Sequence, residues 1–161
     1  ISVVFLTWFN SIIIYKNFVL IKKMTQKTSN YITKLRNSNL RPTKQRIKIC
    51  EVLFNRSETF HFTINNLYKL LSNNSGKKIS LATVYNTIHA FKKSGYLKQI
   101  NIDSSNNYFD TNITHHHHFF DETNKELIDL DNEDIKKIEL KKNIPGKKIK
   151  SVEVLVKIES K

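Results

Sequence analysis

Apolar residues recur at helical spacing from Tyr31 onward and give way to strand-like alternation after Gly95. In KQRIKICEVLFN, Ile47, Cys50, Leu53 and Phe54 share one face while Lys44, Arg46 and Lys48 take the other, so an amphipathic helix is expected after Thr43. Arg41-Pro42-Thr43 is a start signal, because Pro42 cannot continue an earlier helix and the Thr43 hydroxyl can cap a new one. The next helix is expected to open at His61-Phe62-Thr63 and run through INNLYKLLSN, with Ile64, Leu67, Leu70 and Leu71 inward and Asn73-Asn74-Ser75-Gly76 closing it. Ser80 caps a third, LATVYNTIHAFKK, whose stripe is Leu81, Val84, Ile88 and Phe91 and whose stop is Gly95.

Helices joined by short turns, the last after a tight connection, form the skeleton of a helix-turn-helix. The outward side of the last helix then carries Thr83, Tyr85, Asn86, Thr87, His89 and Lys93, side chains able to hydrogen-bond or to touch thymine methyls. Arg41, Thr43, Arg46 and Ser80 join Thr83, Tyr85, Asn86, His89 and Lys93 as candidate DNA contacts. YLKQINI and NNYFDTN follow as alternating runs around Asp103-Ser104-Ser105-Asn106, a hairpin signature, and a hairpin directly after a reading helix is a wing. Beyond Thr114, HHHHFFDE and KELIDL read as short strands and NEDIKKIELKK as a helix capped by Asn132. Ile149, Val152, Val154, Val156 and Ile158 mark a final strand within Lys148 to Ile158. The expected class is α+β: a winged helix-turn-helix domain over 24–111, then a small α/β domain over 112–161. So short a second domain is marginal alone, and a homodimer would complete its core.

Composition narrows the function. The chain has 161 residues, 39% of them apolar, enough for a core and unlike a disordered, collagenous or coiled-coil chain. A single cysteine, Cys50, on an apolar stripe, excludes an intrachain disulfide and points to a reducing, cytoplasmic setting. The net charge of +13 is unevenly spread: residues 24–100 carry 14 Lys+Arg against 2 acids, residues 101–161 carry 10 against 12. A basic front half concentrates a polyanion and gains from counterion release. Residues 1–23 are acid-free and mostly apolar, yet Asn10, Ser11, Lys16 and Asn17 interrupt them. They are expected to be an extension upstream of a natural start at Met24, with a membrane anchor as the competing reading.

His115 to His118 stand consecutively, and in an extended chain His116 and His118 share one face while His115 and His117 share the other. Either pair can converge on a metal ion or haem iron, since imidazole suits iron, zinc, nickel and copper. His61 by itself reads as a surface or capping residue, and Cys50 as a small buried hydrophobe.

LRPTKQR, FHFTINNLYKLL, SLATVYNTIHAFKKSGYL and YFDTN followed by HHHHFF resemble the ferric uptake regulator superfamily, within it most closely the iron response regulator of alphaproteobacteria, over about Leu35 to Ile158. The resemblance implies a winged-helix domain, a C-terminal dimerisation domain and a dimer on AT-rich operator DNA. It implies that Tyr85 contacts thymine methyls and that Arg41 lies near the minor groove. It also implies a regulatory metal between the domains, matched here by His61, Asp110, the His run and Asp129, with one ligand position falling to His116 or His117. The paired Cys-x-x-Cys motifs of a four-cysteine structural zinc are missing, and a second His-rich site lacks its last histidine, where SVEV stands. Iron response regulators resemble this chain in lacking those cysteines and bind haem at the His cluster, although no Cys-Pro haem motif is present.

The reading that follows is an iron- or haem-responsive, DNA-binding transcriptional regulator acting as a homodimer in the cytoplasm. The alternative is a repressor of the ferric uptake regulator type that senses Fe(II) or Mn(II) directly; the bound cofactor is expected to be haem or Fe(II), with Mn(II) and Zn(II) as further candidates. A metallohydrolase would want a general base beside an open metal position and a substrate pocket, and with three glycines no phosphate-cradling loop is evident, so an enzyme is not expected.

Overall fold

The computed structural model describes residues 2–73, 79–103, 107–136, 138 and 144–160, with backbone alone at 2–18, 20 and 132. In chain order the elements are α1 (Ser2–Asn37), α2 (Lys44–Phe54), β1 (His61–Phe62), α3 (Ile64–Asn73), α4 (Leu81–Lys93), β2 (Lys98–Asn101), β3 (Asn107–Asp110), β4 (His117–Asp121), β5 (Glu126–Leu130), a 3-10 turn (Asn132–Asp134) and β6 (Leu155–Ile158). Helix α1 runs without a break through Met24, so that residue marks no boundary in the fold. Among the described residues no helix is long and apolar enough to cross a membrane. The apolar side chains before position 19, on which the expected extension rests, lie outside the described residues.

The helix starts follow local hydrogen bonding. Thr43 and Ser80 are extended and accept the N–H of Arg46 and Thr83 through their side chains, capping α2 and α4. Gly95, at φ +74, ends the run after α4 in the left-handed region. The expected opening of α3 at His61 is corrected. Thr63 accepts the Asn66 N–H, which sets the first turn at Ile64 and frees His61 and Phe62 to pair with β3 as a strand. The closing Gly76 and the hairpin turn at 104–106 lie outside the described residues.

Helices α1 to α4 enclose one core of Leu35, Ile49, Cys50, Leu53, Leu67, Leu71, Val84, Ile88 and Phe91, floored by Phe62 and Phe109 from the first sheet. That sheet is antiparallel in the order β1-β3-β2. Its other face supplies Ile100 and Tyr108 to a smaller core with Phe120 and Leu127 of the second sheet, ordered β5-β4-β6. The wing thus gives side chains to both cores and joins the two halves. Each fully buried aliphatic or aromatic side chain contributes roughly 1.5–3 kcal/mol, so the first core carries most of the stability.

Two expectations beyond β5 are corrected. The helix over NEDIKKIELKK is a single 3-10 turn among the described residues, while 137 and 139–143 lie outside them. The final strand spans only Leu155–Ile158, with Ile149 and Val152 exposed. Its parallel partner explains the length: Leu155 pairs with His118, and before His117 the chain is no strand to extend the ladder.

Candidate metal centre

Strand register assembles the site. His61 faces Asp110 across β1 and β3, and His118 faces Asp129 across β4 and β5. His116, two residues before His118, projects to the same side. One ligand atom from each of these five residues lies within 4.8 Å of every other. His61 Nε2 stands 2.8 Å from Asp129 Oδ1, and His116 Nε2 stands 3.0 Å from Asp110 Oδ2 and 3.1 Å from Asp129 Oδ1. His118 Nε2 lies 3.5 Å and 3.6 Å from the same two oxygens. Asp110 is fully buried, whereas the Asp129 side chain is 30% exposed and forms the outer wall.

Neighbouring groups aim the donors inward. The Asn112 N–H donates to Asp110 Oδ1 at 2.7 Å, which leaves Oδ2 for the centre. His116 Nδ1 meets the Thr114 carbonyl at 3.0 Å. A carbonyl only accepts, so Nδ1 carries the proton and the Nε2 lone pair points into the site. Burial alone lowers the basicity of His61, but Asp110 and Asp129 outweigh it and raise the imidazole above its ordinary value. Burial likewise penalises the Asp110 carboxylate, yet His118, His61 and the Asn112 N–H hold it well below the usual carboxylate range.

The donor set fits a divalent cation. His61 Nε2, Asp110 Oδ2, His116 Nε2, His118 Nε2 and Asp129 Oδ1 are all buried and crowd against one another, yet none makes a hydrogen bond of good geometry. Orphaned atoms of that kind are rare in native interiors unless something else binds them. Two carboxylates and three neutral imidazoles leave two negative charges for a 2+ ion, and mixed N/O donors suit Fe(II), Mn(II) and Zn(II).

The structure leaves two members of the expected ligand set outside this group. The His115 side chain is 71% exposed, with Nδ1 3.7 Å from Glu153 Oε1. His117 Nδ1 accepts the Val154 N–H at 3.1 Å. Strand alternation sends both to the opposite face of β4, so of the pair left open it is His116, not His117, that stands in the five-residue group. One orienting contact lies beyond the expected set, although its signal is local. In Asp110-Thr111-Asn112 a carboxylate can take an N–H two residues on.

On the candidate reading helix, Tyr85, Asn86 and Lys93 are exposed and Thr83 and His89 half-buried. Thr87, expected outside, is fully buried with its hydroxyl on the Thr83 carbonyl, whereas Leu81, expected inside, is 45% exposed. Leu81 falls in the first turn after the Ser80 cap, before the buried stripe begins at Val84, whereas Thr87 lies three residues after Val84 and four before Phe91, at helical spacing on that stripe. The Tyr85 and His89 rings are 4.2 Å apart and edge a cleft of about 330 Å³ shared with Thr63, Asn65 and Phe109. Ser80, Arg41 and Thr43 are exposed. Arg46 is half-buried and donates from Nη1 to the Arg41 carbonyl at 2.9 Å, bracing the turn before α2.

The pattern of the ferric uptake regulator family matches residues 37–158. The chain is 31% identical over 119 residues to the peroxide-responsive repressor PerR of Staphylococcus aureus, covering 74% of this chain and 78% of that one. It is 33% identical over 106 residues to the ferric uptake regulation protein of Yersinia pestis, covering 65% and 70%. Its fold is similar to the Vibrio cholerae ferric uptake regulator, with a TM-score of 0.61 at 21% identity over 80% of this chain and 98% of that one. It is similar also to the Pseudomonas aeruginosa ferric uptake regulator solved with manganese, with a TM-score of 0.58 at 21% identity over 81% and 98%. With its winged helix, its second sheet and more than two-thirds of its length matched, the chain belongs to the ferric uptake regulator family, whose members are metal-sensing transcription regulators and not enzymes.

Proposed function

We propose that this chain is a cytoplasmic, homodimeric repressor that senses a divalent ion directly, Fe(II) or Mn(II) before Zn(II), and reads AT-rich operator DNA through α4. The carrying observation is the convergence of five ligand atoms within 4.8 Å, two from the sheet behind α4, two from the second sheet and one from His116 just ahead of it. When bound, the ion supplies positive charge that both halves of the site must share. His61 and Asp110 then hold the helix-bearing half, and His116, His118 and Asp129 the other, in one orientation. Metal affects operator affinity only through a difference between orientations, and a site divided between two sheets provides that difference.

Direct sensing is favoured over haem, and with it over the closeness to iron response regulators. Haem calls for an axial imidazole with room for a porphyrin beside it. His116 and His118 instead face two carboxylates, at 3.0 and 3.1 Å from His116 and 3.5 and 3.6 Å from His118, while His115 and His117 lie on the other side of the strand. Titration of the full chain with Mn(II) and with haem separates the two. One Mn(II) per chain, lost when His116 and His118 are replaced by Ala, is expected. A Soret shift abolished by that double replacement, with no Mn(II) uptake by the unaltered chain, would establish haem instead.

A further inference from the structure

Beside the metal centre lies a second junction between the two sheets, built without a ligand. Lys98 begins β2 and is the Cα partner of Asp110. Its ammonium nitrogen is buried and makes no hydrogen bond of good geometry, but lies at ion-pair distance, 3.1 Å, from Glu153 Oε1, just ahead of β6. The residue after Glu153 is stitched to β4 on both of its polar groups: the His118 N–H donates to the Val154 carbonyl at 3.0 Å, and the Val154 N–H donates to His117 Nδ1. A continuous path therefore runs from the wing, through Lys98 and Glu153, to the strand that presents His116 and His118. The ion pair matters energetically because a desolvated ammonium without its carboxylate is costly.

We propose that Lys98 is a positioning residue: its ammonium, clamped on Glu153, holds the lead-in to β6 against the wing and presets the two halves of the metal centre before an ion arrives. The same Glu153 oxygen lies 3.7 Å from His115 Nδ1, and Glu153 stands within SVEV, where the sequence lacks the last histidine of a second His-rich site. A side chain of the protein itself thus carries positive charge there. The latch rests on the reading of the five-residue centre for its consequence, but not for its existence. Removing it leaves every metal ligand in place and makes the ion do the work of orienting the domains.

The test uses the full chain with Lys98→Met, Glu153→Gln, the double variant and Lys98→Arg. Hydrogen exchange on metal-free protein reads the latch: the His118 and Val154 amides should exchange faster in both single variants and be restored in Lys98→Arg. Mn(II) titration without DNA reads the coupling: each single variant should bind about fivefold more weakly, at the low end of site-to-site coupling because the pair is partly exposed. The double variant should be no weaker than either single one. Unchanged exchange overturns the latch, and equal Mn(II) affinity in all four variants overturns its role in presetting the centre. Failure of the unaltered chain to take up Mn(II) would overturn the metal reading, while the exchange arm would still decide the latch.

Discussion

Asp110 is the residue on which the centre turns, since it is fully buried, oriented by the Asn112 N–H and close to both His116 and His118. Asp110→Ala is expected to lower Mn(II) affinity by more than about 100-fold, beyond what loss of an orienting partner alone costs. His115→Ala should leave that affinity unchanged, because its exposed ring lies across the strand. Calorimetric titration of both variants checks the pair, and equal losses would refute the division of the His run. Cys50 gives an independent check on the core. Burial pushes its thiol up from 9.0 to about 12, so at pH 8 the folded chain holds about a thousandfold less thiolate than the unfolded one. Alkylation should be slow in the native protein and fast in denaturant. Because the folded pKa is the higher one, the thiol's contribution to stability is complete below about pH 9 and is lost as pH rises toward 12.

At the scale of elements, the helices are legible in the sequence because their signals are local. Thr43, Ser80 and Gly95 act on their own turns, and the stripe of Val84, Ile88 and Phe91 needs only the helical period. Ser80→Ala should cost about 1 kcal/mol and lower the melting temperature by a few degrees, as a thermal melt would show. Tyr85→Ala should weaken binding to a specific operator more than to random-sequence duplex, and equal losses would remove Tyr85 from base reading. The short strands are legible as alternation, which is enough to pair His116 with His118 without any fold. Their partners are not, because cross-strand register depends on residues distant in sequence. His61 reads as a lone capping residue by its own context, and only pairing with Asp110 makes it part of a centre. Thr87 and Leu81 depart from their expected sides although the stripe keeps its phase: Thr87 is polar but sits at stripe spacing from Val84 and Phe91, and Leu81 is apolar but falls in the first turn, ahead of the core. The Lys98 to Glu153 pair spans more than fifty residues and leaves no local mark.

The whole molecule divides its charge as it divides its sheets, with the basic excess in 24–100 on the helix-bearing half. Operator affinity should therefore fall steeply with salt, by roughly 0.9 in log affinity per decade of salt for each phosphate neutralised, and a flat dependence would place the basic surface elsewhere than on DNA. The second core is small and partly borrowed from the wing, so each half leans on the other. In the proposed reading, an ion drawn into the five-residue centre would tie them at the point where they meet. Measuring operator affinity of the metal-free full chain against added Mn(II) tests that claim most directly. Affinity should rise by about tenfold or more, within the range of allosteric coupling, and the rise should vanish in Asp110→Ala. The same affinity with and without Mn(II), in a protein that demonstrably binds the ion, would contradict it.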